Sequence, residues 1–182
     1  MSIETIAVLG AGQMGSGIAQ IAAASGYKVI IRDIKQEFCD KGVSGIKAGL
    51  DKQVAKGKIT QEAADAIMSR ISTTVELEGV APADFVIEAA PEILSLKHDT
   101  FVQLGEICKP DAILCTNTSS MSIGEITKDC KNPERCIGMH FFFPVYAMKL
   151  VEMIRSCYTS DATVAVVREV AEKMGKKPVE CK

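Results

Sequence analysis

The feature that most constrains this chain is a glycine-rich turn that starts at residue 10. An apolar run over residues 6–9, typical of a buried strand, leads into Gly10, Gly12 and Gly15 and then into a helix-forming stretch. In such a turn the first glycine permits a sharp exit from the strand, the second leaves room for a pyrophosphate, and the third lets the helix pack closely on the sheet. The free N–H groups at the start of the helix would hold the phosphates. The pattern predicts a dinucleotide-binding domain.

Glycine turns also occur in proteins that bind nothing, so the residues that follow are needed to support this interpretation. Residues 27–32 are typical of a second strand, and Asp33 ends that strand where a carboxylate meets the ribose hydroxyls of adenosine. A carboxylate at this position favours NAD as the cofactor, because it would repel the 2′-phosphate of NADP. NADP remains the alternative, since Arg32 and Lys35 together can fold over that phosphate.

Length and charge narrow the class of protein further. The chain has 182 residues, of which 47% are apolar, which is enough for one globular domain with its own core. Its 21 Lys and Arg are outnumbered by 23 Asp and Glu, which argues against a nucleic-acid partner. No apolar stretch approaches the ~20 residues of a membrane helix, and the N-terminus enters a strand without a basic leader. We expect no membrane partner and a cytoplasmic location.

The seven cysteines do not form a recognisable ligand set. Their number is odd, no two form a CxxC pair, and neither histidine is spaced with them as a metal ligand would be. We therefore predict no metal site and reduced, mostly buried thiols, because free cysteine usually behaves as a small core residue. A catalytic cysteine is the alternative.

Strand and helix signals alternate along the rest of the chain, as in a parallel sheet covered by helices. Beyond the second strand, the predicted strands are residues 71–74, 84–90, 112–115, 136–140, 149–154 and 178–181. The predicted helices are residues 36–56, 61–70, 95–107, 122–127 and 163–174. We predict an α/β, Rossmann-like doubly wound fold with a mostly parallel sheet, an antiparallel hairpin near the C-terminal end, and a helical excursion after the second strand.

The hairpin brings a histidine and an acid together. His140 lies in an apolar strand, where an unpaired imidazole is costly to bury. Pairing the two strands about a loop centred on Tyr146 places Glu152 opposite His140 on the same face. A carboxylate that orients an imidazole is the usual arrangement of a general base near neutral pH. The alternative is a core histidine bonded to an acid for stability alone, and we expect the other histidine, His98, to be solvated.

Further polar residues follow other predicted strands, where ligands collect in open parallel sheets. They are Glu92 and the tetrad Asn117-Thr118-Ser119-Ser120. A solvated loop acid would explain Glu92 equally well, and capping of the next helix would explain one residue of the tetrad.

Taken together, these motifs resemble the NAD-binding domain of the 3-hydroxyacyl-CoA dehydrogenases, most closely the bacterial 3-hydroxybutyryl-CoA dehydrogenases. The resemblance is carried over the whole chain by GAGQMGSGIAQ, RDI, VIEAAPE, TNTSS, GMHFF and MKLVE. It implies reversible oxidation of the L-3-hydroxyl of a short acyl-CoA by NAD.

The resemblance also implies roles for particular residues. His140 would take the hydroxyl proton, Glu152 would orient its imidazole, and Ser119 would bond the reacting oxygen. Lys56 would meet the CoA phosphates, and Lys97 would lie near both cofactor and CoA. The expected cofactor-binding residues are Gly10, Gly12, Gln13, Met14, Gly15, Asp33, Glu92, Lys97, Asn117 and Ser119, and the expected substrate-binding residues are Ser119, Lys56 and Lys97.

Two departures from the family pattern stand out. The family usually has an asparagine where this chain has Phe143. The family also continues for about a hundred residues as a helical domain that dimerises and completes the substrate site, so we assign residues 1–182 to the NAD-binding domain. We expect this chain to fold and bind NAD(H), to turn over acetoacetyl-CoA slowly, and to self-associate weakly through an exposed patch at Phe141, Phe142, Phe143 and Tyr146.

Two other functions remain open from the sequence. The first is a relative that binds NAD without turnover, which Phe143 favours. The second is a dehydrogenase of another hydroxy acid that shares only the glycine turn, although such an enzyme has no reason to place His140 opposite Glu152.

Overall fold

The computed structural model of the protein describes residues 2–181. Its strands are β1 (Thr5–Leu9), β2 (Lys28–Arg32), β3 (Ile71–Thr74), β4 (Phe85–Glu88), β5 (Ile113–Thr116), β6 (Cys136–Phe141), β7 (Leu150–Ile154) and β8 (Lys177–Cys181). Its helices are α1 (Gln13–Ala24), α2 (Gln36–Ala55), α3 (Gln61–Met68), α4 (Leu94–Ile107), α5 (Ile123–Thr127) and α6 (Asp161–Lys173). Short 3-10 turns span Leu77–Val80 and Pro133–Arg135.

The strands form one sheet in the order β3-β2-β1-β4-β5-β6-β7-β8. All neighbouring pairs are parallel except β6 and β7, which are antiparallel. The chain runs outward from β1 to β3 and then returns to the other side of β1 as β4. This reversal opens a crevice beyond the end of β1, which is where ligands bind in sheets of this type.

Two sets of helices cover the two faces of the sheet. On one face the core includes Ile18 of α1, Ile46 of α2 and Val167 of α6. On the other face it includes Phe101 of α4 and Ile126 of α5. The predicted doubly wound α/β fold, its hairpin and its helical excursion are confirmed.

Most element boundaries agree with the prediction to within two or three residues. Helix α6 begins at Asp161 rather than at residue 163, because the hydroxyl of Ser160 accepts a hydrogen bond from the N–H of Thr163 at 3.1 Å and caps the helix. The predicted domain 1–182 includes residues 1 and 182, which lie outside the described part of the chain.

The cysteines match the predicted pattern of buried thiols with two exceptions. Five are buried, whereas Cys157 is exposed and Cys181 is partly exposed. Burial raises the pKa of Cys108 to about 11 and raises that of Cys115 well above its ordinary value. These two thiols are protonated at neutral pH and are therefore poor nucleophiles.

Two possible features are absent from residues 2–181. None of the helices there has the length and apolar composition needed to cross a membrane. Over the same residues, no three His, Cys, Asp or Glu side chains come together in a way that could hold a metal ion.

Candidate dinucleotide and catalytic site

A cleft of about 1170 Å³ lies beyond the carboxyl ends of β1 and β4. The glycine turn forms its floor, and the first half of α2 forms one wall with Phe38 and Lys41. Residues 89–92, together with Asn117, form a second wall, and Phe143, Val145 and Tyr146 from the loop between β6 and β7 form a third. The crevice predicted from the topology is therefore a real cavity, large enough for a dinucleotide.

The structure gives a different explanation for glycine at each of the three predicted positions. Gly10 has a φ of +99°, which suits glycine, and a Cβ there would lie 2.6 Å from the carbonyl oxygen of Ala89. A Cβ on Gly15 would lie 1.8 Å from the carbonyl oxygen of Gly10, so close packing requires glycine. A Cβ on Gly12 would meet nothing within 4 Å. Packing does not require glycine at position 12, which agrees with the close approach of a ligand.

The start of α1 has the properties of an anion site. Gly12 is its N-cap and provides no side-chain hydrogen bond, and the first turn contains no acid. The first N–H groups of a helix have no partner within the helix, and a negative charge there is favoured by the helix dipole. Gly12, Gln13 and Met14 all line the cleft. These residues fit the pyrophosphate of a dinucleotide.

Asp33 lies at the end of β2, beside the glycine turn. Its carboxylate accepts hydrogen bonds from the N–H groups of Ala11 and Ile34, both at 2.7 Å. The two nearby cations have other partners: Arg32 Nε donates to the carbonyl oxygen of Val75 at 3.1 Å, and Lys35 lies 3.5 Å from Glu37. The acid is therefore held in the cleft, which Arg32 also lines, whereas Lys35 does not line it.

The predicted pairing of β6 with β7 is confirmed residue for residue, with His140 opposite Glu152. The Nδ1 atom of His140 lies 2.8 Å from Oε2 of Glu152, and the two side chains are 17% and 35% exposed. The ring of Phe142 packs 4.5 Å from the imidazole, measured between centroids. Among residues 2–181, Nε2 has no hydrogen-bond partner, so this nitrogen is available to a substrate.

The tetrad at residues 117–120 does not cap the helix that follows. The cap is Ser122, whose hydroxyl accepts from the N–H of Glu125 at 3.3 Å. Asn117 instead accepts a hydrogen bond from the N–H of Phe141 at 2.9 Å, which joins the end of β5 to the end of β6. Ser119 is exposed. Asn117 lines the cleft and Ser119 and His140 do not, although His140 directly precedes the residue that Asn117 binds.

Lys97 contacts the cleft wall formed by residues 89–92. Its side chain is fully buried, and Nζ donates to Oε1 of Glu88 at 2.7 Å and to the carbonyl oxygen of Ala90 at 3.1 Å. It also lies 3.3 Å from Oε1 of Glu92. The contacts with Glu88 and Ala90 are hydrogen bonds, and the contact with Glu92 is an ion pair. Lys97 thus supports the wall formed by residues 89–92, and its contact with cofactor or CoA stays a prediction.

Glu92 itself is half-exposed on this wall and accepts a hydrogen bond from the hydroxyl of Thr118 at 2.6 Å. Lys56 is not brought to the cleft. It follows the last turn of α2 and is exposed, ten residues beyond Ile46, which lines the cleft. At 1.5 Å per residue this places Lys56 about 15 Å further along the helix axis. Its contact with the CoA phosphates stays a prediction.

One prediction about side-chain exposure was wrong, and one was met in part. His98 is 25% exposed, so it is partly solvated, and it bonds to Asp129 at 2.9 Å and Asp99 at 3.2 Å, because α4 packs against the segment after α5. Phe141 is 1% exposed, because its side chain belongs to the core face of β6. Phe142 is half-buried against His140. Of the predicted apolar patch, only Phe143 and Tyr146 are exposed.

Sequence reasoning missed two glycines that shape the cleft. A Cβ on Gly17 would lie 2.9 Å from the side chain of Val145, and a Cβ on Gly42 would lie 2.8 Å from the carbonyl oxygen of Ala11. These glycines allow the β6–β7 loop and α2 to approach the dinucleotide turn. The extra glycine after Gly15 was visible in the sequence, but its partner lies more than a hundred residues away in the chain.

Comparisons with known proteins agree with this geometry. The family model for the 3-hydroxyacyl-CoA dehydrogenase, NAD binding domain, matches residues 5–182. A probable 3-hydroxybutyryl-CoA dehydrogenase of Deinococcus radiodurans is 48% identical over 96% of this chain, which covers 62% of that relative. A 3-hydroxyadipyl-CoA dehydrogenase of Escherichia coli is 42% identical over 100% of this chain, which covers 38% of it.

A solved structure is also similar. The crystal structure of an Escherichia coli 3-hydroxybutyryl-CoA dehydrogenase superposes with a TM-score of 0.98 at 42% identity. It covers all of this chain, which spans 38% of that structure. The chain thus spans between about four-tenths and six-tenths of the length of these relatives.

Proposed function

The chain belongs to the 3-hydroxyacyl-CoA dehydrogenase family, and we propose that it oxidises the L-3-hydroxyl of a short acyl-CoA, or reduces the corresponding 3-oxoacyl-CoA. The proposed substrate pair is 3-hydroxybutyryl-CoA and acetoacetyl-CoA. The observation that carries the proposal is the His140–Glu152 pair near the end of β6. The residue after His140, Phe141, donates its N–H to Asn117, which lines the cleft.

The proposed chemistry divides between cofactor and protein. The cleft belongs to an NAD-binding domain, and NAD, when bound there, supplies the acceptor for a hydride. Gly12, Gln13 and Met14 would hold its pyrophosphate, and Asp33 would hold the adenosine ribose.

His140 is the proposed general base. Its Nδ1 atom bonds to Glu152, which leaves Nε2 to accept the proton of the substrate hydroxyl. The carboxylate would hold the ring in the productive tautomer and stabilise the imidazolium that forms. In the reduction direction the same imidazolium would return the proton. Ser119 is exposed in the loop after β5, the strand next to β6. It is the proposed hydrogen-bond partner of the reacting oxygen.

A second function, NAD binding without turnover, is favoured by one observation. Phe143 is 56% exposed and lines the cleft where the family usually has an amide. A hydrogen bond made by that amide would be absent here. Turnover of acetoacetyl-CoA distinguishes the two functions.

The test replaces the proposed base and its partner. We expect His140→Gln to lower acetoacetyl-CoA reduction by 10²–10⁴-fold, a typical loss for a general base, while the NADH dissociation constant changes less than about threefold. Glu152→Gln should lose nearly as much, and the double variant little more than either single variant, because the two residues act as a unit. The matched control is His98→Gln, which removes a histidine that is also paired with an acid.

Because relatives are longer, the assay uses this chain and a chimera in which the remainder of the Deinococcus relative follows residue 182. Near-normal turnover by the His140→Gln chimera would mean that the pair is structural. An unsubstituted chimera that binds NADH without turnover would support the second function. We also propose that the whole protein is a cytoplasmic homodimer, which sedimentation velocity of the chimera and fractionation of cells would test.

A further inference from the structure

The loop between β6 and β7 forms a wall of the cleft without belonging to any strand or helix. It spans residues 142–149 and presents Phe143, Val145 and Tyr146 to the cleft. Its only internal backbone bonds run from the N–H groups of residues 147 and 148 to the carbonyl of residue 144. Such a loop needs further contacts to hold one conformation.

One such contact connects the loop to the dinucleotide helix. Val145 is 2% exposed, and its side chain occupies the space that a Cβ on Gly17 of α1 would need. The position of Val145 therefore determines how this wall meets the helix that would bind the pyrophosphate. Displacement of the loop would open the cleft beside α1.

A buried lysine provides the second contact. Lys176 lies between α6 and β8 and is only 8% exposed. Its ammonium donates hydrogen bonds to the carbonyl oxygens of Val145 and Met148, the latter at 2.8 Å. Burial lowers the pKa of this amine from its ordinary value.

Lys176 differs from the other buried lysine of the described residues. Lys97 has the carboxylate of Glu88 as its partner, whereas no carboxylate among residues 2–181 lies within 4 Å of the Lys176 ammonium. Burying an ammonium without a counter-ion is costly, and a methionine of similar volume would avoid that cost. The residue is therefore better explained by the loop that it holds than by the stability of the core.

We propose that Lys176 is a positioning residue for the cofactor cleft, which fixes the β6–β7 loop against α1 through the carbonyls of Val145 and Met148. The proposal rests on the proposed function, because it assigns the cleft to NAD. Without the ammonium, two loop carbonyls lose their donors and Val145 is no longer held at Gly17.

The test compares Lys176→Met with Lys176→Arg and Lys177→Met in the 182-residue chain. Lys177 is the adjacent, exposed lysine, so its replacement is the matched control. We expect Lys176→Met to weaken NADH binding by about tenfold, Lys176→Arg to retain part of the affinity, and Lys177→Met to bind as the unsubstituted chain does. A core variant, Val167→Ala, provides a destabilised control with an intact loop, and its affinity should be unchanged.

A second measurement does not depend on NADH. The chain contains no tryptophan, so Tyr146→Trp gives a single reporter on the loop. In this background Lys176→Met should raise acrylamide quenching and lower the anisotropy of the reporter, whereas Lys177→Met and Val167→Ala should change neither. Unchanged reporter mobility in a folded Lys176→Met variant would overturn the proposal, as would unchanged NADH affinity. If the unsubstituted chain did not bind NADH, the proposed function would be overturned instead. The mobility of the Tyr146→Trp reporter would then decide whether Lys176 holds the loop.

Discussion

At the scale of single residues, Gly12 and Gly15 of the turn after β1 are needed for different reasons. Gly15 is required by the carbonyl of Gly10, which occupies the space of a side chain. Gly12 has open space around it and is required only if a ligand approaches. Fold and binding can therefore be disturbed one at a time within the same motif.

Gly12→Ala and Gly15→Ala should consequently have different effects. We expect Gly12→Ala to cost about 1 kcal/mol or less, because alanine is a poorer N-cap than glycine, and to weaken NADH binding at least tenfold. Gly15→Ala should cost about 3 kcal/mol through overpacking against backbone. Urea unfolding and NADH titration measure the two effects. Gly49→Ala, in α2, with no contact closer than 3.8 Å, is the control and should stabilise the helix slightly. Unchanged NADH affinity in the Gly12→Ala variant would mean that the pyrophosphate does not bind at this turn.

At the same scale, we expect Asp33 to favour NAD over NADP. A 2′-phosphate 4 Å from the carboxylate would experience repulsion of about 4 kcal/mol per unit charge at an effective dielectric of 20. Arg32 and Lys35 could offset part of this repulsion: Arg32 lines the cleft and donates from Nε to the carbonyl oxygen of Val75, and Lys35 lies 3.5 Å from Glu37.

We expect NADH to bind at least tenfold more tightly than NADPH, and Asp33→Asn to narrow that difference. Fluorescence titration of both cofactors provides the measurement, with Asp40→Asn as a control that removes an exposed acid of α2 bonded to Gln36. Equal or tighter binding of NADPH to the unsubstituted chain would contradict this account of specificity.

At the scale of elements, Asp84 joins the two central strands. It precedes β4, and its carboxylate accepts hydrogen bonds from the N–H groups of Glu4 and Thr5 at 3.0 Å and from Lys109 at 2.6 Å. Burial by itself raises the pKa of this carboxyl, but the Lys109 and backbone donors outweigh that effect and lower the pKa from its ordinary value. The start of β1 is thereby held beside β4 and the end of α4.

A lowered pKa in the folded state predicts the pH dependence of stability. The ionised carboxylate stabilises the fold above the unfolded pKa of about 4, and the contribution is lost as pH falls through the folded pKa. We expect Asp84→Asn to lose about 1–3 kcal/mol at pH 7 by urea unfolding, and the difference from the unsubstituted chain to shrink near pH 3. Asp111→Asn, which removes an exposed acid close by, should have little effect at either pH. A difference that persists at pH 3 would mean that charge is not the cause.

At the scale of the whole molecule, four of the eleven large apolar side chains that are exposed among residues 2–181 lie within residues 143–150. Phe143, Tyr146, Met148 and Leu150 are 56%, 68%, 40% and 36% exposed. Exposed apolar side chains that are grouped on one segment favour association. This segment follows β6 along the chain and overlaps the cleft wall that Lys176 holds.

We expect the chain to self-associate weakly through this patch. The weight-average mass in sedimentation velocity should rise with concentration, and the double substitution Phe143→Ser and Tyr146→Ser should abolish the rise. Leu94→Ser, which removes an exposed leucine of α4 outside the patch, serves as the control. A concentration-independent mass for the unsubstituted chain would exclude this association.

The sequence by itself determined the features that depend on neighbours along the chain or on strand periodicity. The glycine turn could be identified because a strand, a sharp turn and a helix start occupy successive residues. His140 could be matched to Glu152 because a short loop sets the register, and because a one-residue slip would turn both side chains to the wrong face. The order of strands and helices followed from the same periodicities.

Only the tertiary structure decided which polar groups are buried and what they touch. No sequence pattern indicates that Lys97 is buried against Glu88 and the wall at residues 89–92. Phe141 could not be assigned to the core, nor Lys176 to the β6–β7 loop, from local pattern. Burial and hydrogen bonding depend on atoms brought together from distant parts of the chain, and a sequence pattern carries no record of those distances.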